Sequence, residues 1–369
     1  MRPFEAPVEP TQITDLCRYC LMCRHVCPVT YVTRNEATSP HGWGLLISSV
    51  ARGLTHWNPE TVDILYQCAD CGLCRAHCAT DQPLPLAINA GRADVAARQE
   101  APAVVYELQQ KLQQWGNVYR EIEAEAASGP GENGLLVGAA AHYLHPQTVE
   151  AATKLLAAGG IEVIPLAAGR ETPYLPNTLG LPAEARTLAE ATLAEISATG
   201  VRRVFVLAPG DIYSFTTLLD YLGLRWPEGV ELRQVTDFLA GQVEAGKLAF
   251  NRTNLGDYAF YDPDHTVRVA ECWAAPRRLL AEVMHVPPIE LYWRQERAQP
   301  CGASGGLPFT HPALAAALAQ ARLAEAEAQG VKTLISDDPQ VLYHLQHHTD
   351  NVTVRGLLEL LAEQVKAEE

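Results

Sequence analysis

The sequence predicts an α+β protein in which a mainly helical N-terminal domain precedes a duplicated α/β region. Two observations lead to this prediction. Eight of the ten cysteines lie between residues 17 and 78, in a pattern that occurs twice. From residue 132 onward, short apolar runs alternate with alanine-rich amphipathic stretches, which is the rhythm of parallel strands covered by helices. The 369 residues are enough for two or three domains.

The net charge and the short apolar runs argue against several classes of function. The formal net charge is −15, and there is no basic run, which speaks against a nucleic-acid surface and against anionic lipid. The longest apolar stretches are far shorter than the roughly 18–20 residues that span a bilayer, and we find no signal-peptide pattern. We therefore expect a cytoplasmic protein that binds no nucleic acid and that reaches the inner face of a membrane only through a partner protein.

The cysteines form two copies of one motif. Each copy has the spacing C-x2-C-x2-C-x3-C, and the second is displaced by 51 residues from the first. The first copy comprises Cys17, Cys20, Cys23 and Cys27, and the second comprises Cys68, Cys71, Cys74 and Cys78. Disulfide frameworks are typical of small secreted domains, so in this large chain the clustering indicates metal binding in a reducing compartment.

The spacing is that of four-iron, four-sulfur (4Fe-4S) clusters. Three cysteines of one tight loop hold one cluster, and the fourth, on the following helix, reaches the other cluster. By this rule cluster 1 is held by Cys17, Cys20, Cys23 and Cys78, and cluster 2 by Cys68, Cys71, Cys74 and Cys27. In bacterial ferredoxins a proline follows the fourth cysteine of this motif. Pro28 occupies that position after the first motif, whereas Ala79 occupies it after the second.

Zinc is the alternative metal, because it also binds four thiolates. Zinc sites usually pair two C-x2-C knuckles across a longer insert, whereas here four cysteines fall within eleven residues, twice. We therefore expect two 4Fe-4S clusters as the cofactors, with zinc or a single degenerate site as the remaining possibilities.

A helical pattern joins the cysteine region to the α/β region. It runs from residue 83 to about 128, includes LQQKLQQW and REIEAEA, and ends at the Ser-Gly-Pro-Gly of 128–131. We predict a two-cluster ferredoxin-like domain, a helical linker and two α/β repeats, over residues 1–100, 101–131, 132–250 and 251–369.

The α/β region repeats itself at an offset of 130 residues. Gly-Val-Arg-Arg-Val at 200–204, followed by Pro209, aligns with Gly-Val-Lys-Thr-Leu at 330–334, followed by Pro339. Each copy reads as a helix end, an apolar strand and a prolyl turn into another helix. The two halves are therefore predicted to be pseudo-symmetric.

The segments around the cysteines resemble a known family. They read DLCRYCLMCRHVCPV, NEATSPHGWGLLISS, LYQCADCGLCRAHCA and LPLAINAGRADVAAR. This order is similar to the ferredoxin-like domain of heterodisulfide-reductase-related proteins, a group that includes iron–sulfur subunits of glycolate oxidase, lactate-utilisation complexes and anaerobic glycerol-3-phosphate dehydrogenase. The family usually has E-x-x-S-P-R-G between the motifs, and here His41 replaces the arginine.

In that family two cysteine-rich "CCG" repeats follow the ferredoxin domain, and this chain resembles a degenerate pair of them. The stretches that correspond to the second repeat are YDPDH at 261–265, RQERAQPCGASGG at 294–306 and SDDPQV at 336–341. Cys301 is retained there, whereas the other cysteine positions of the family are occupied by Asp264, Pro300, Asp338 and Val341. The first repeat has lost all of its cysteines. Disulfide reduction by a cluster in these repeats is therefore not expected.

A single metal ion held by Asp264, His265, Cys301 and Asp338 is a residual possibility, since the set offers oxygen, nitrogen and sulfur. We prefer the interpretation that these residues line a relic pocket or a partner interface, because two adjacent residues rarely both bind one ion. The glycine-rich Gly302–Gly306 lacks the strand and helix context of a nucleotide-binding loop.

These observations predict an iron–sulfur electron-transfer subunit of a multi-subunit oxidoreductase, without catalytic residues of its own. Such clusters relay one electron at a time. The resemblance implies a flavin-containing dehydrogenase as the donor and a quinone-linked or other redox protein as the acceptor. Two alternatives stay open: a self-contained reductase with its active site in the C-terminal repeats, and a redox-sensing or structural scaffold.

Overall fold

The computed structural model describes residues 9–122 and 129–366. The N-terminal part is helical, and several helices begin at a proline that follows a capping side chain. Ser39 caps the helix that begins at Pro40, and Asn58 caps the helix that begins at Pro59. The helices are α1 (Pro10–Thr14), α2 (Met22–Val26), α3 (Pro28–Thr33), α4 (Pro40–Ala51), α5 (Pro59–Tyr66), α6 (Leu73–Ala76), α7 (Leu84–Ala97) and α8 (Ala103–Trp115).

The predicted helical pattern ends earlier than expected. Gly116 follows α8 in the left-handed conformation, with a φ of 67°, which is a common way to end a helix. The Asn117 side chain then accepts hydrogen bonds from the N–H groups of Tyr119 and Arg120, which holds a turn. Residues 116–122 are not helical, and the rest of REIEAEA, with Ser128, lies outside the described residues.

The first α/β half contains a four-stranded parallel sheet with the strand order β2-β1-β3-β4. Leu136 of β1 pairs with Leu166 of β2 and with Val206 of β3. The strands are β1 (Asn133–Leu136), β2 (Ile164–Leu166), β3 (Arg203–Val206) and β4 (Glu231–Gln234). The helices are α9 (Gly138–Leu144), α10 (Pro146–Ala158), α11 (Tyr174–Thr178), α12 (Pro182–Thr199), α13 (Pro209–Tyr213), α14 (Leu219–Tyr221) and α15 (Val235–Glu244), with a π-helical turn over Ser214–Leu218.

The second half contains a three-stranded parallel sheet with the order β5-β6-β7. The strands are β5 (Tyr258–Phe260), β6 (Thr333–Ser336) and β7 (Thr353–Gly356), and the helices are α16 (Ala274–Val283), α17 (Leu307–Thr310), α18 (Pro312–Ala328), α19 (Pro339–Gln346) and α20 (Leu357–Gln364). The strands β3 and β6, and the starts of α13 and α19, are displaced by the 130 residues that the sequence repeat predicts. The fold class is therefore confirmed: a helical N-terminal region precedes parallel sheets.

The apolar cores cross between these parts of the chain. Phe205 and Leu239 of the first half share one core with Phe260 and Leu361 of the second half. Another core joins residues of the N-terminal helices to residues of both halves, among them Leu65, Ile88, Leu179, Leu307 and Leu318. The boundaries near residues 100, 131 and 250 stay predictions. None of the described helices combines the length and apolarity needed to cross a bilayer.

Candidate metal centre

The two cysteine loops adopt the same backbone conformation. Tyr19 and Leu21 have φ values of 55° and 60°, and Asp70 and Gly72, 51 positions later, have 50° and 82°. Each loop then enters a short helix, α2 or α6. Left-handed residues turn the chain sharply, so the cysteines of each loop face one side. The sequence repeat therefore corresponds to a repeat of local structure.

The first group of thiols forms around Cys23. Burial raises the pKa of the Cys23 thiol to about 11, and the charges of Cys17, Cys78 and Cys20 add to this rise. Cys78 is the last cysteine of the second motif, yet it lies near the thiols of the first loop.

The second group forms around Cys74. Burial raises the pKa of the Cys74 thiol well above its ordinary value, and Cys71, Cys68 and Cys27 are the next causes. Burial likewise raises the pKa of Cys68 to about 12. Each group thus contains three thiols of one loop and the fourth cysteine of the other loop. Cys23 also acts on the pKa of Cys74, so the two groups are neighbours.

The two groups differ in exposure. In the first group Cys20 is exposed, and Cys17, Cys23 and Cys78 are half-buried. In the second group Cys27, Cys68 and Cys71 are buried and Cys74 is half-buried. One group therefore reaches the protein surface, and the other lies inside the protein.

The donor chemistry fits iron–sulfur clusters. The backbone N–H of Tyr19 donates to Cys17 Sγ (3.4 Å), and that of Asp70 donates to Cys68 Sγ (3.3 Å), which stabilises thiolate sulfur. Burial raises the pKa of Cys23, Cys27, Cys68, Cys71 and Cys74, so a bound metal is what would hold these five as thiolates. Among the residues described, no group of three or more His, Cys, Asp or Glu is gathered as a single ion requires. A cubic cluster places each thiolate on a different iron, so its ligands need not meet at one point.

His41, which replaces the arginine of the family pattern, lies beside the first loop. Its ring meets that of Tyr19 edge to face, with the centroids 5.4 Å apart. It also lines a groove of about 400 Å³ together with Cys17 and Cys23. The position between the motifs therefore contributes to the surroundings of the first thiol group.

Arg92, which is fully buried in α7, was not among the predicted site residues. Its guanidinium donates to the carbonyl oxygens of Leu65, Cys68, Thr178 and Gly305. It therefore joins the second cysteine loop to both α/β halves. A signal was present: in LPLAINAGRADVAA, Arg92 and Asp94 are the charged residues of a helix made mostly of small and apolar residues, nearly all of which are buried.

The ion pair of Arg268 and Asp70 was also missed. Arg268 comes from the second half, and its Nη2 lies 2.9 Å from Asp70 Oδ1 and also donates to the Asp70 carbonyl oxygen. The guanidinium stacks on the Tyr213 ring, 4.4 Å from its centroid. Burial opposes the charge of Arg268, but Asp70 and the neighbouring tyrosines raise its pKa overall. Nothing in the spacing of the sequence indicates this pair.

The glycine-rich stretch around residues 299–306 contacts both cysteine motifs. Gln299 donates to the Val26 carbonyl oxygen (3.0 Å), and the Ser304 hydroxyl donates to the Ala69 carbonyl oxygen (2.9 Å). A Cβ on Gly305 would lie 2.5 Å from the backbone of Ala69. These glycines allow close approach of two backbones.

The residues of the predicted relic site have structural partners. Asp264 accepts hydrogen bonds from the N–H groups of Cys301 (2.9 Å) and Ser304 (3.0 Å). Asp338 caps α19 by accepting from two backbone N–H groups. The ring of His265 contacts the rings of Tyr174 and Tyr213, which also contact each other. These contacts favour the structural interpretation over a metal site.

A small acidic cavity lies beside that region. It measures about 60 Å³ and is lined by residues that follow strands of both sheets. Burial raises the pKa of Glu171 to about 8, that of Asp211 to about 7 and that of Asp338 to about 6. In the described part of the chain, Glu171 Oε2 and His265 Nδ1 are buried without a hydrogen-bond partner.

Comparison with known families agrees with this geometry. Residues 13–82 match the family described as a 4Fe-4S dicluster domain, and residues 258–346 match the family described as a cysteine-rich domain, CCG. The chain carries both domains. The dicluster domain, with its eight cysteines, identifies the cofactors as two 4Fe-4S clusters.

The curated relatives are oxidoreductases or their subunits. A subunit of the dihydromethanophenazine:CoB–CoM heterodisulfide reductase of Methanosarcina barkeri is 27% identical over 186 residues, which cover 48% of this chain and 44% of the relative. The probable iron-sulfur-binding oxidoreductase FadF of Bacillus subtilis is 27% identical over 196 residues, 52% of this chain and 27% of the relative. The chain therefore spans less than half the length of these relatives.

A solved structure shares the fold. A hypothetical protein from Helicobacter pylori superposes with a TM-score of 0.58 at 13% identity, over 87% of this chain and 68% of that one. From the dicluster domain and the curated relatives, the chain is an iron–sulfur protein related to oxidoreductase subunits.

Proposed function

We propose that the eight cysteines ligate the two clusters crosswise, and that the chain relays single electrons within an oxidoreductase complex. The observation that carries this proposal is the difference in exposure between the two thiol groups. Cluster 1, with Cys20 at the surface, would exchange electrons with a partner, and cluster 2, beneath the α/β halves, would take them inward.

The surface around Cys20 supports a docking role. Four large apolar side chains flank it and are exposed: Leu16 (40%), Tyr19 (66%), Leu21 (38%) and Met22 (51%). Clusters of apolar side chains on a solvent-exposed protein surface often mark interaction sites. We call these four residues the Cys20 patch and propose that a redox partner covers it.

The nature of the partner rests on relatives. The Methanosarcina barkeri relative is named as a subunit of a larger reductase. That name supports membership of a complex and no more. From the resemblance of the cysteine segments to iron–sulfur subunits of glycolate oxidase and related complexes, we infer a flavin-containing dehydrogenase as the donor and a further redox protein as the acceptor, with any attachment to a membrane made by that partner. Iron–sulfur clusters suit this role because they pass on singly the electrons that a flavin accepts in pairs.

Crosswise ligation is tested by exchanging one cysteine of each crossing pair. We expect anaerobically purified protein to contain about eight irons per chain. Cys78→Ser should perturb the cluster whose paramagnetic resonance signal also changes in Cys20→Ser, and Cys27→Ser should perturb the one that changes in Cys74→Ser. Cys272→Ser, outside both motifs, is the control. Iron-free wild-type protein, or Cys27→Ser grouping with Cys20→Ser, would contradict the proposal.

The relay itself is tested with partners. We expect the protein, tagged and purified from its own host, to bring along a dehydrogenase or another electron-transfer protein, and to be reduced by it within the turnover time of the complex. Clusters that stay oxidised beside the reduced partner would instead favour the sensing or scaffold role.

The acidic cavity favours a second candidate, a reductase with its own site in the C-terminal halves. Its unpartnered Glu171 and His265 atoms offer hydrogen bonds to a small ligand. If the reduced protein alone turns over an acceptor such as a heterodisulfide, and Glu171→Gln abolishes this turnover without loss of iron, the reductase role is preferred.

A further inference from the structure

We propose that Arg92 is the buried counter-charge of cluster 2 and that its guanidinium raises the reduction potential of that cluster. This inference rests on the proposed function, in which Cys27, Cys68, Cys71 and Cys74 hold cluster 2.

Arg92 has no acidic partner among the described residues. Arg92 has no exposed surface, and its hydrogen bonds go to neutral oxygens at 2.7–3.2 Å. Among the residues of 9–122 and 129–366, it forms no ion pair with a carboxylate. A buried and unpaired charge is strongly unfavourable, so the fold implies a negative group nearby that the side chains do not supply.

Arg92 also lies directly against the second cysteine loop. The shortest contact of Arg92 to the cysteine loop runs from Nη2 to the carbonyl oxygen of Cys68, at 2.8 Å. The guanidinium is thereby held against the backbone of a residue whose thiol belongs to the second group. The guanidinium therefore acts electrostatically on the second thiol group.

A cluster on these thiols supplies the missing charge. Four thiolates outweigh the positive charge of an iron–sulfur core, so the cluster is an anion that gains one more negative charge when it accepts an electron. A fixed cation beside it stabilises the reduced form more than the oxidised form. Arg92 therefore favours residence of the electron on cluster 2.

Other charges near the loop do not replace this effect. Asp70 and Arg268 form an ion pair with each other, and their opposite charges largely cancel at the cluster. The ring of Tyr66, whose centroid lies 5.0 Å from the Arg92 guanidinium, adds no net charge.

The test compares a neutral and a charged replacement. In Arg92→Met we expect the equilibrium constant for one-electron reduction of cluster 2 to fall at least tenfold, which corresponds to about 59 mV. In Arg92→Lys, which keeps the charge but loses the fork of hydrogen bonds, the constant should stay within about threefold of wild type. Potentials are measured by redox titration followed by paramagnetic resonance, with the signals assigned through Cys20→Ser and Cys74→Ser. Arg98→Gln, one residue beyond α7, is the matched control.

Every result of this comparison either supports or overturns the counter-charge role of Arg92. An unchanged or raised potential in Arg92→Met, or equal shifts in the Met and Lys variants, overturns the counter-charge role. If Arg92→Met loses cluster 2, retention of that cluster in Arg92→Lys supports the role and its loss in both variants overturns it. Wild-type protein without two clusters would instead refute the proposed function, before any variant is compared.

Discussion

Leu21 and Gly72 occupy equivalent places in the two cysteine loops, each just after the second cysteine of its motif. Both are left-handed, with φ values of 60° and 82°. A leucine in this conformation is strained, whereas glycine adopts it freely. The first loop therefore stores strain that the second avoids, and the pair allows the strain to be measured.

We predict opposite effects on stability from exchanging these residue types. Leu21→Gly should raise the free energy of unfolding by about 1 kcal/mol, because it relieves the left-handed strain. Gly72→Ala should lower it by about 1–2 kcal/mol, because it introduces the strain and brings a Cβ to 3.0 Å from Arg268 Nε. Thermal unfolding of anaerobic protein with both clusters checks this, and equal signs for the two variants would contradict it.

The raised pKa of Glu171 predicts a pH effect on stability. The unfolded chain loses this proton near the ordinary pKa of 4.5, but the folded protein keeps it until about pH 8. Between these values the folded state binds more protons, so stability falls as the pH rises. A shift of one pKa unit corresponds to about 1.4 kcal/mol. The free energy of unfolding of Glu171→Gln, relative to wild type, should therefore increase by about 3 kcal/mol when the pH is raised from 5.5 to 8.5.

Thermal unfolding at both pH values measures this gain, with the exposed Glu228→Gln as control. A gain that is the same at both pH values would show that Glu171 is ionised in the folded protein. The comparison uses the difference between the two pH values, so a constant effect of the amide cancels.

At the scale of elements, the stretch from Gln299 to Gly306 ties the second α/β half to the loop of cluster 2. This stretch has the glycines of a nucleotide-binding loop but lacks the preceding strand and the long helix. Its conformation instead allows the backbone at Gly305 to approach that of Ala69. The glycines therefore serve a contact between two segments of the chain.

We predict that Gly305→Ala disturbs cluster 2 more than cluster 1. The new Cβ would meet the Ala69 backbone at 2.5 Å, and a backbone cannot move aside as a side chain can. Gly330→Ala is a matched control, since Gly330 has a similar φ of 80° and open space around its Cβ position. Iron content and the two resonance signals report the result. Equal loss in both variants would show that backbone strain alone is responsible.

At the scale of the whole molecule, the first thiol group reaches the surface and the second is buried, which gives the proposed relay a direction from the surface inward. The Cys20 patch lies at one end of this path, and the α/β halves cover the other end. Because the two thiol groups are neighbours, an electron that enters at the surface has a second centre within reach.

We predict that Met22→Asp slows electron exchange with the partner at least about tenfold, because a charge in an apolar contact costs binding energy. The iron content should not change, since Met22 is half exposed and lies outside the cores. Val286→Asp, on an exposed apolar residue of the second half, is the control. Stopped-flow reduction by the isolated partner measures the rate, and equal rates in both variants would remove the patch from the interface.

Much of this protein was determined by the sequence alone. The cysteine spacing determined the cofactors, and the alternation of apolar and amphipathic runs determined the parallel sheets, because both are local patterns that a short segment expresses by itself. The repeat at 130 residues located β3 and β6 correctly for the same reason. The helical pattern predicted over residues 116–122 was wrong, since a left-handed Gly116 and the Asn117 turn override helical periodicity.

The tertiary structure alone decided which charges surround the two thiol groups and which thiol group is exposed. Arg92 bonds to Gly305, 213 positions away, and Arg268 bonds to Asp70, 198 positions away. Such partners leave no periodic trace in the sequence, because they depend on how the α/β halves pack over the cysteine loops. The physical reason is that ligation is set by spacing within a loop, whereas burial and electrostatics are set by the chain that folds over it.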